Sequence, residues 1–127
     1  MKLRYYETMF LLHPDLSEEE RNSAVEKYSD IIQKDGGQIV YIDRWPLRKL
    51  AYKVQKQPQG YYVILYFGAP GHTIQELTRN FRIDEQVMKF LTTKLEDEFD
   101  LEEAKKQFKD KTKQASETST ETEGQEG

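Results

Sequence analysis

The chain has 127 residues, 36% hydrophobic and 33% charged, enough for one small core and a solvated appendage. It holds no cysteine, which excludes disulfides, thiol nucleophiles and cysteine-based metal sites and points to a reducing compartment. The net charge of −4 hides an asymmetry: residues 1–95 carry 14 Lys+Arg against 12 Asp+Glu, and residues 96–127 carry 5 against 11. The acidity therefore belongs to the C-terminal end and does not argue against a nucleic-acid-binding body.

Tyr5 to Leu12 is an aromatic and aliphatic strand stopped by His13-Pro14, and it begins so early that no targeting segment is expected before it. Ser17 and Glu20 form a capping box, and Ala24, Val25, Tyr28, Ile31 and Ile32 recur at helical spacing until Gly36-Gly37. A second strand covers about Gln38 to Trp45, interrupted by Pro46. The basic segment Arg48-Lys49-Leu50-Ala51-Tyr52-Lys53-Val54 follows, then a turn expected at Pro58-Gln59-Gly60. Tyr61 to Phe67 is the third strand and the longest apolar run, far below the roughly 18 residues of a membrane span. A second helix is expected over about His72 to Phe81, with Ile74, Leu77 and Phe81 on one face, and a last strand over about Val87 to Leu95.

The order β-α-β-β-α-β predicts an α+β, ferredoxin-like fold, a split β-α-β with four antiparallel strands and both helices on one face. On the last strand, Met88, Phe90 and Thr92 alternate with Lys89, Leu91 and Thr93; the lysine assigns the second set to the uncovered face. Leu101, Ala104 and Phe108 allow a short helix amid charge, and from Lys109 onward no large apolar residue occurs. The expected division is a folded domain over 1–95 and an acidic, disordered tail over 96–127 whose removal costs little stability.

Catalysis finds no support. His13 and His72 sit at element boundaries outside any catalytic motif. Glu18-Glu19-Glu20 is ordinary first-turn acidity, and Gly36-Gly37 follows a helix where a phosphate loop precedes one. No cofactor, metal, membrane or small-molecule substrate is expected. The basic distribution is more informative: the 32 residues from Arg44 to Gln75 hold five cations, Arg44, Arg48, Lys49, Lys53 and Lys56, and no acid. Trp45, Tyr52, Tyr61 and Tyr62 are interleaved. Arg79, Arg82, Lys89 and Lys94 add a second set and Arg4 a third. Cations beside stacking rings suit RNA, although a solvated hairpin over core aromatics, on a protein-binding module, has the same composition. Gly60-Tyr61-Tyr62-Val63 only faintly matches the standard RNA-recognition module, so base stacking on the open sheet is not the leading mechanism.

Several segments, in order and spacing, resemble one family. They are Arg4-Tyr5-Tyr6-Glu7-Thr8-Met9-Phe10, His13-Pro14-Asp15-Leu16-Ser17, Gly36-Gly37, Trp45-Pro46-Leu47-Arg48-Lys49-Leu50-Ala51-Tyr52, Gly60-Tyr61-Tyr62 and Arg82-Ile83-Asp84-Glu85-Gln86-Val87. Together they are similar to bacterial-type small-subunit ribosomal protein six over about residues 4–95. Two positions depart from the pattern: Pro46 stands for the usual glycine, removing a backbone donor, and Leu47 for a frequent cation. The resemblance implies a ferredoxin-like fold and a non-catalytic role on the ribosome, in a bacterial cytoplasm or a plastid. It also implies binding to the central domain of small-subunit (16S-type) rRNA together with ribosomal protein eighteen. Carried over by position, it implies rRNA or partner contact by Arg4, Arg48, Lys49, Tyr52, Arg82 and Lys89; the basic segment itself adds Lys53. The competing reading is a ferredoxin-like protein–protein adaptor with an acidic regulatory tail.

Overall fold

A computed structural model describes residues 2–107. Its elements are β1 (Arg4–Leu12), α1 (Glu18–Lys34), β2 (Gln38–Arg44), β3 (Arg48–Val54), β4 (Gln57–Ala69), α2 (Gly71–Ile83) and β5 (Val87–Glu96), with a further short helix over 101–107. The main sheet is antiparallel in the order β2-β4-β1-β5, and β3 pairs with the first part of β4. Leaving β3 aside, this is the ferredoxin-like order.

Local chemistry explains the helices. Ser17 Oγ accepts from Glu20 N–H at 3.2 Å while Glu20 Oε1 accepts from Ser17 N–H at 2.9 Å, closing the capping box. These bonds, the backbone one foremost, hold the Glu20 carboxyl below the usual carboxylate range. At the other end Gly36 adopts φ 86°, open to glycine without a Cβ clash, and its N–H bonds Gln33 C=O at 3.0 Å. The expected stripe faces inward: Ala24, Val25, Tyr28 and Ile32 are buried and Ile31 partly so.

Both helices lie on one sheet face over an aromatic centre. Phe10 sits 5.2 Å from both Tyr28 and Phe81, Tyr28 stacks on Phe81 at 4.3 Å, and Phe81 on Phe90 at 5.2 Å. Burying each such side chain contributes about 1.5–3 kcal/mol, and each ring pair about 0.5–1.5 kcal/mol more. Tyr28 carries a polar atom inward, which Asp84 satisfies: the hydroxyl donates to Asp84 Oδ2 at 2.5 Å, and Asp84 Oδ1 accepts from Gln86 N–H at 2.9 Å. Burial, then Asp84, raises the Tyr28 phenol, so it stays a donor.

Three departures from the sequence expectation have physical causes. First, the segment Arg48–Val54 is a strand, and the turn lies at Gln55-Lys56 instead of Pro58-Gln59-Gly60. Both turn residues have positive φ, 48° and 67°, and Val54 pairs with Gln57, the geometry of a type I′ hairpin. Pro58 is tolerated because β4 acquires its β1 partner only at Tyr61, so residues 57–60 have an unpaired side. Second, Lys89, Leu91 and Thr93 are exposed on the uncovered face, but a β-bulge takes Met88 out of the expected alternation. Val87 enters the main core in its place, and Met88 packs with Leu11 against Gly60. Third, packing continues past Leu95. The Phe99 ring lies against Gly68 and 5.6 Å from Tyr5, Phe99 N–H donates to Leu3 C=O at 3.1 Å, and Ala104 of the short helix is buried. Phe108 and the stretch expected to be disordered from Lys109 lie outside the described residues.

Candidate nucleic-acid interface

The β2–β3–β4 hairpin carries most of the predicted site. Trp45 is fixed by its Nε1, which donates to the Asp43 carboxylate at 3.1 Å, and by an edge-on contact with Tyr62 at 5.5 Å. On that ring rests the Arg48 guanidinium, 4.7 Å from the centroid. Arg44 is held by Asn22 of α1. A cation lying on an aromatic face is held in orientation by it.

Further along β3, Tyr52 is 67% exposed, and Lys89 of β5 donates to its hydroxyl at 3.4 Å. The contact joins two predicted residues 37 positions apart. Lys49, Lys53 and Lys56 are exposed and have no ion-pair partner among the described residues. The arm is seated by Gln55, whose side-chain amide donates to Met88 C=O at 3.1 Å, and by Leu11 and Met88 around Gly60.

Arg48, Lys49, Tyr52, Lys53 and Lys89 thus share one end of the molecule. Arg82, exposed at the end of α2, lies at that end but on the helix side. Arg4 does not join them: it opens β1 opposite Ala69 and lies against Gly71, eight residues of strand, roughly 26 Å, from the hairpin end. Sequence reasoning missed Arg21, whose guanidinium stacks 3.9 Å from the Tyr61 centroid and donates to Leu16 C=O at 2.7 Å. Only the fold brings this first-turn helical residue to the hairpin base.

The centre of the open face has a different character. Tyr5, Tyr41 and Tyr66 surround Glu7 and Asp43, and burial, followed by the charges of Glu7 and Asp43, pushes the Tyr66 phenol up to about 12. With Leu91 58% exposed beside it, this face is aromatic and acidic, repelling phosphate and suiting an apolar or basic protein surface. A depression lined by Tyr5, Phe99 and five carboxylates likewise has the wrong sign for RNA.

Among the described residues neither histidine joins a catalytic constellation. His13 Nδ1 accepts from Asp15 N–H in its own turn, and His72 lies 3.5 Å from Asp35 at the opposite end of the sheet. Among the described residues no group of three or more His, Asp or Glu side chains could hold a metal ion. Nor is any described helix long and apolar enough to cross a membrane.

Comparison with known proteins follows the same lines. Residues 5–94 match the model of the family described as ribosomal protein S6. A small ribosomal subunit protein bS6 of Nitratiruptor sp. is 42% identical over 119 residues, spanning 94% of this chain and 93% of the relative. Another, of Desulfatibacillum aliphaticivorans, is 45% identical over 105 residues; the match covers 83% of this chain but only 57% of that longer protein. The crystal structure of 30S ribosomal protein S6 from Thermotoga maritima superposes with a TM-score of 0.70 at 34% identity, covering 85% of this chain and 99% of the other. By sequence over residues 5–94 and by its likeness to that solved structure, the chain belongs to the ribosomal protein S6 family of the bacterial small subunit.

Proposed function

We propose that the chain is a non-catalytic structural component of the small subunit, in a bacterial cytoplasm or a plastid, which binds the central domain of 16S-type rRNA together with ribosomal protein eighteen. The observation that carries this reading is the hairpin. Its stretch from Arg44 to Lys56, free of acids, presents Arg48 on Trp45, Tyr52 against Lys89 of β5, and Lys49, Lys53 and Lys56 without an ion-pair partner among the described residues. Their cost of desolvation is recovered against phosphates, with release of condensed counterions supplying the affinity. The aromatic and acidic centre of the open face then serves the protein partner, so that RNA and protein occupy surfaces of opposite sign.

The test is a salt series of rRNA-fragment affinity, with the partner present, for the Arg48→Ala/Lys49→Ala/Lys53→Ala variant. Every phosphate left without its cation flattens the slope of log affinity against log salt by about 0.7–0.9. An unchanged slope places the RNA surface elsewhere.

A further inference from the structure

The exposed flank of α2 combines features that the helix layer does not use. Ile74, Gln75, Thr78, Arg79, Arg82 and Ile83 line a shallow groove of about 450 Å³, and no carboxylate lies among them. Ile83 is 70% exposed, an unusual place for a β-branched apolar side chain beside two arginines. Arg79 and Arg82 are both exposed, and among the described residues neither has a hydrogen-bond or ion-pair partner. Positions 75, 79 and 82–83 recur at helical spacing, which aligns them on one side of the helix.

The groove is also held rigidly and placed next to the basic arm. Asp84, which follows Ile83, is tied to Tyr28 and to Gln86 N–H and lies 3.6 Å from Lys27, so the turn out of α2 is fixed to α1. Three residues beyond Gln86 stands Lys89, already in contact with Tyr52 of the hairpin. Arg82 and Lys89 therefore bracket one short, anchored turn in which Glu85 is the only exposed acid.

We propose that this α2 groove is a second RNA contact, continuous with the hairpin around the end of the molecule, in which Arg79 and Arg82 clamp backbone phosphates while Ile83 packs on a ribose or base edge between them. The inference rests on the RNA-binding reading above and extends its footprint from the hairpin to the helix layer. An anionic polymer fits because the site offers two bidentate phosphate donors around an apolar step and its lining holds no carboxylate. A protein occupant would instead need carboxylates placed to meet both arginines.

The experiment uses the full chain, with partner protein, on a central-domain rRNA fragment, and compares Arg79→Ala/Arg82→Ala, Ile83→Ser and the hairpin triple variant. All the changed α2 side chains are exposed, and an unaltered melting temperature confirms folding. The arginine variant is expected to flatten the salt slope by about 1.4–1.8 and weaken binding by about tenfold or more. Ile83→Ser should weaken binding without changing the slope. Hydroxyl-radical footprints should lack one strip of protection in the α2 variants and a different strip in the hairpin variant. A wild-type slope and footprint for the arginine variant, with the hairpin variant impaired, overturns the α2 contact and leaves the main reading intact. Wild-type behaviour of all three removes the main reading as well. Weaker affinity for the protein partner in RNA-free titrations of the α2 variants assigns the groove to protein and overturns the proposal.

Discussion

Gly68 and Phe99 form a contact that can be tested by a reversal of sign. Gly68 lies in β4, hydrogen-bonded between β1 and β2, and its φ is not in the left-handed region, so alanine is conformationally allowed there. A Cβ at position 68 would lie only 2.1 Å from Phe99 Cδ2, inside the ring's van der Waals envelope. In the native chain Gly68→Ala therefore overpacks, at a cost of about 1–3 kcal/mol. Phe99→Ala forfeits a half-buried ring, about 1–2 kcal/mol, less than the roughly 3–5 kcal/mol of a fully buried phenylalanine. With that ring gone, the three nearest atoms in the way of alanine at 68 are removed, and it gains about 0.5–1 kcal/mol over glycine in a strand. At about 4–8 °C per kcal/mol for a domain of this size, Gly68→Ala should lower the melting temperature in the native background and raise it by about 2–8 °C in the Phe99→Ala background. Thermal and urea unfolding of the four proteins in the cycle measure this directly. Equal effects of Gly68→Ala in both backgrounds would show that Phe99 does not cover the sheet, and that residues past Leu95 are dispensable after all.

Two further outcomes follow from the hairpin and the open face. Lys56→Gly relieves a left-handed side chain at φ 67° and should stabilise by about 1 kcal/mol; a lower urea midpoint would contradict the type I′ turn. Tyr66 ionises at about 12 in the fold against 10 as a free phenol, raised first by burial and then by Glu7 and Asp43. Its contribution to stability is therefore fully present below pH 10 and lost as pH rises towards 12. Tyr66→Phe should flatten that alkaline decline, and an identical pH profile for the variant would rule the phenol out.

What was legible in the sequence was local. The capping box and the α1 stripe rest on spacing, the assignment of Leu91 to the open face on alternation with Lys89, and all three hold. The Gln55-Lys56 turn left no trace because neither residue favours positive φ; the support comes from Gln55 bonding to Met88, 33 positions away. The strand Arg48–Val54 does alternate Leu50, Tyr52 and Val54, but the two prolines around it masked the signal. Phe99 is a lone aromatic in an acidic run, and its significance lies in a missing side chain at Gly68. For the candidate site, the acid-free run marked the arm correctly as one unit, since a hairpin keeps neighbours together. Arg4 and Arg21 could not be sorted that way: one is carried off along β1 and the other brought in on α1.

The position of β1 in the sheet has a consequence for how the chain is made. This strand precedes both its partners in the chain: those on β4 lie 49 to 65 positions downstream and those on β5 lie 75 to 91 downstream. A fragment ending before β4 cannot bury Phe10, Leu11 and Leu12 by pairing β1, and β1 gains its second neighbour only once β5 is free. The sheet therefore closes over long sequence separations, which slows the step and leaves one of the most apolar strands uncovered meanwhile. A nascent chain of this kind depends on being shielded, or on finishing quickly, far more than one whose first strands form a hairpin.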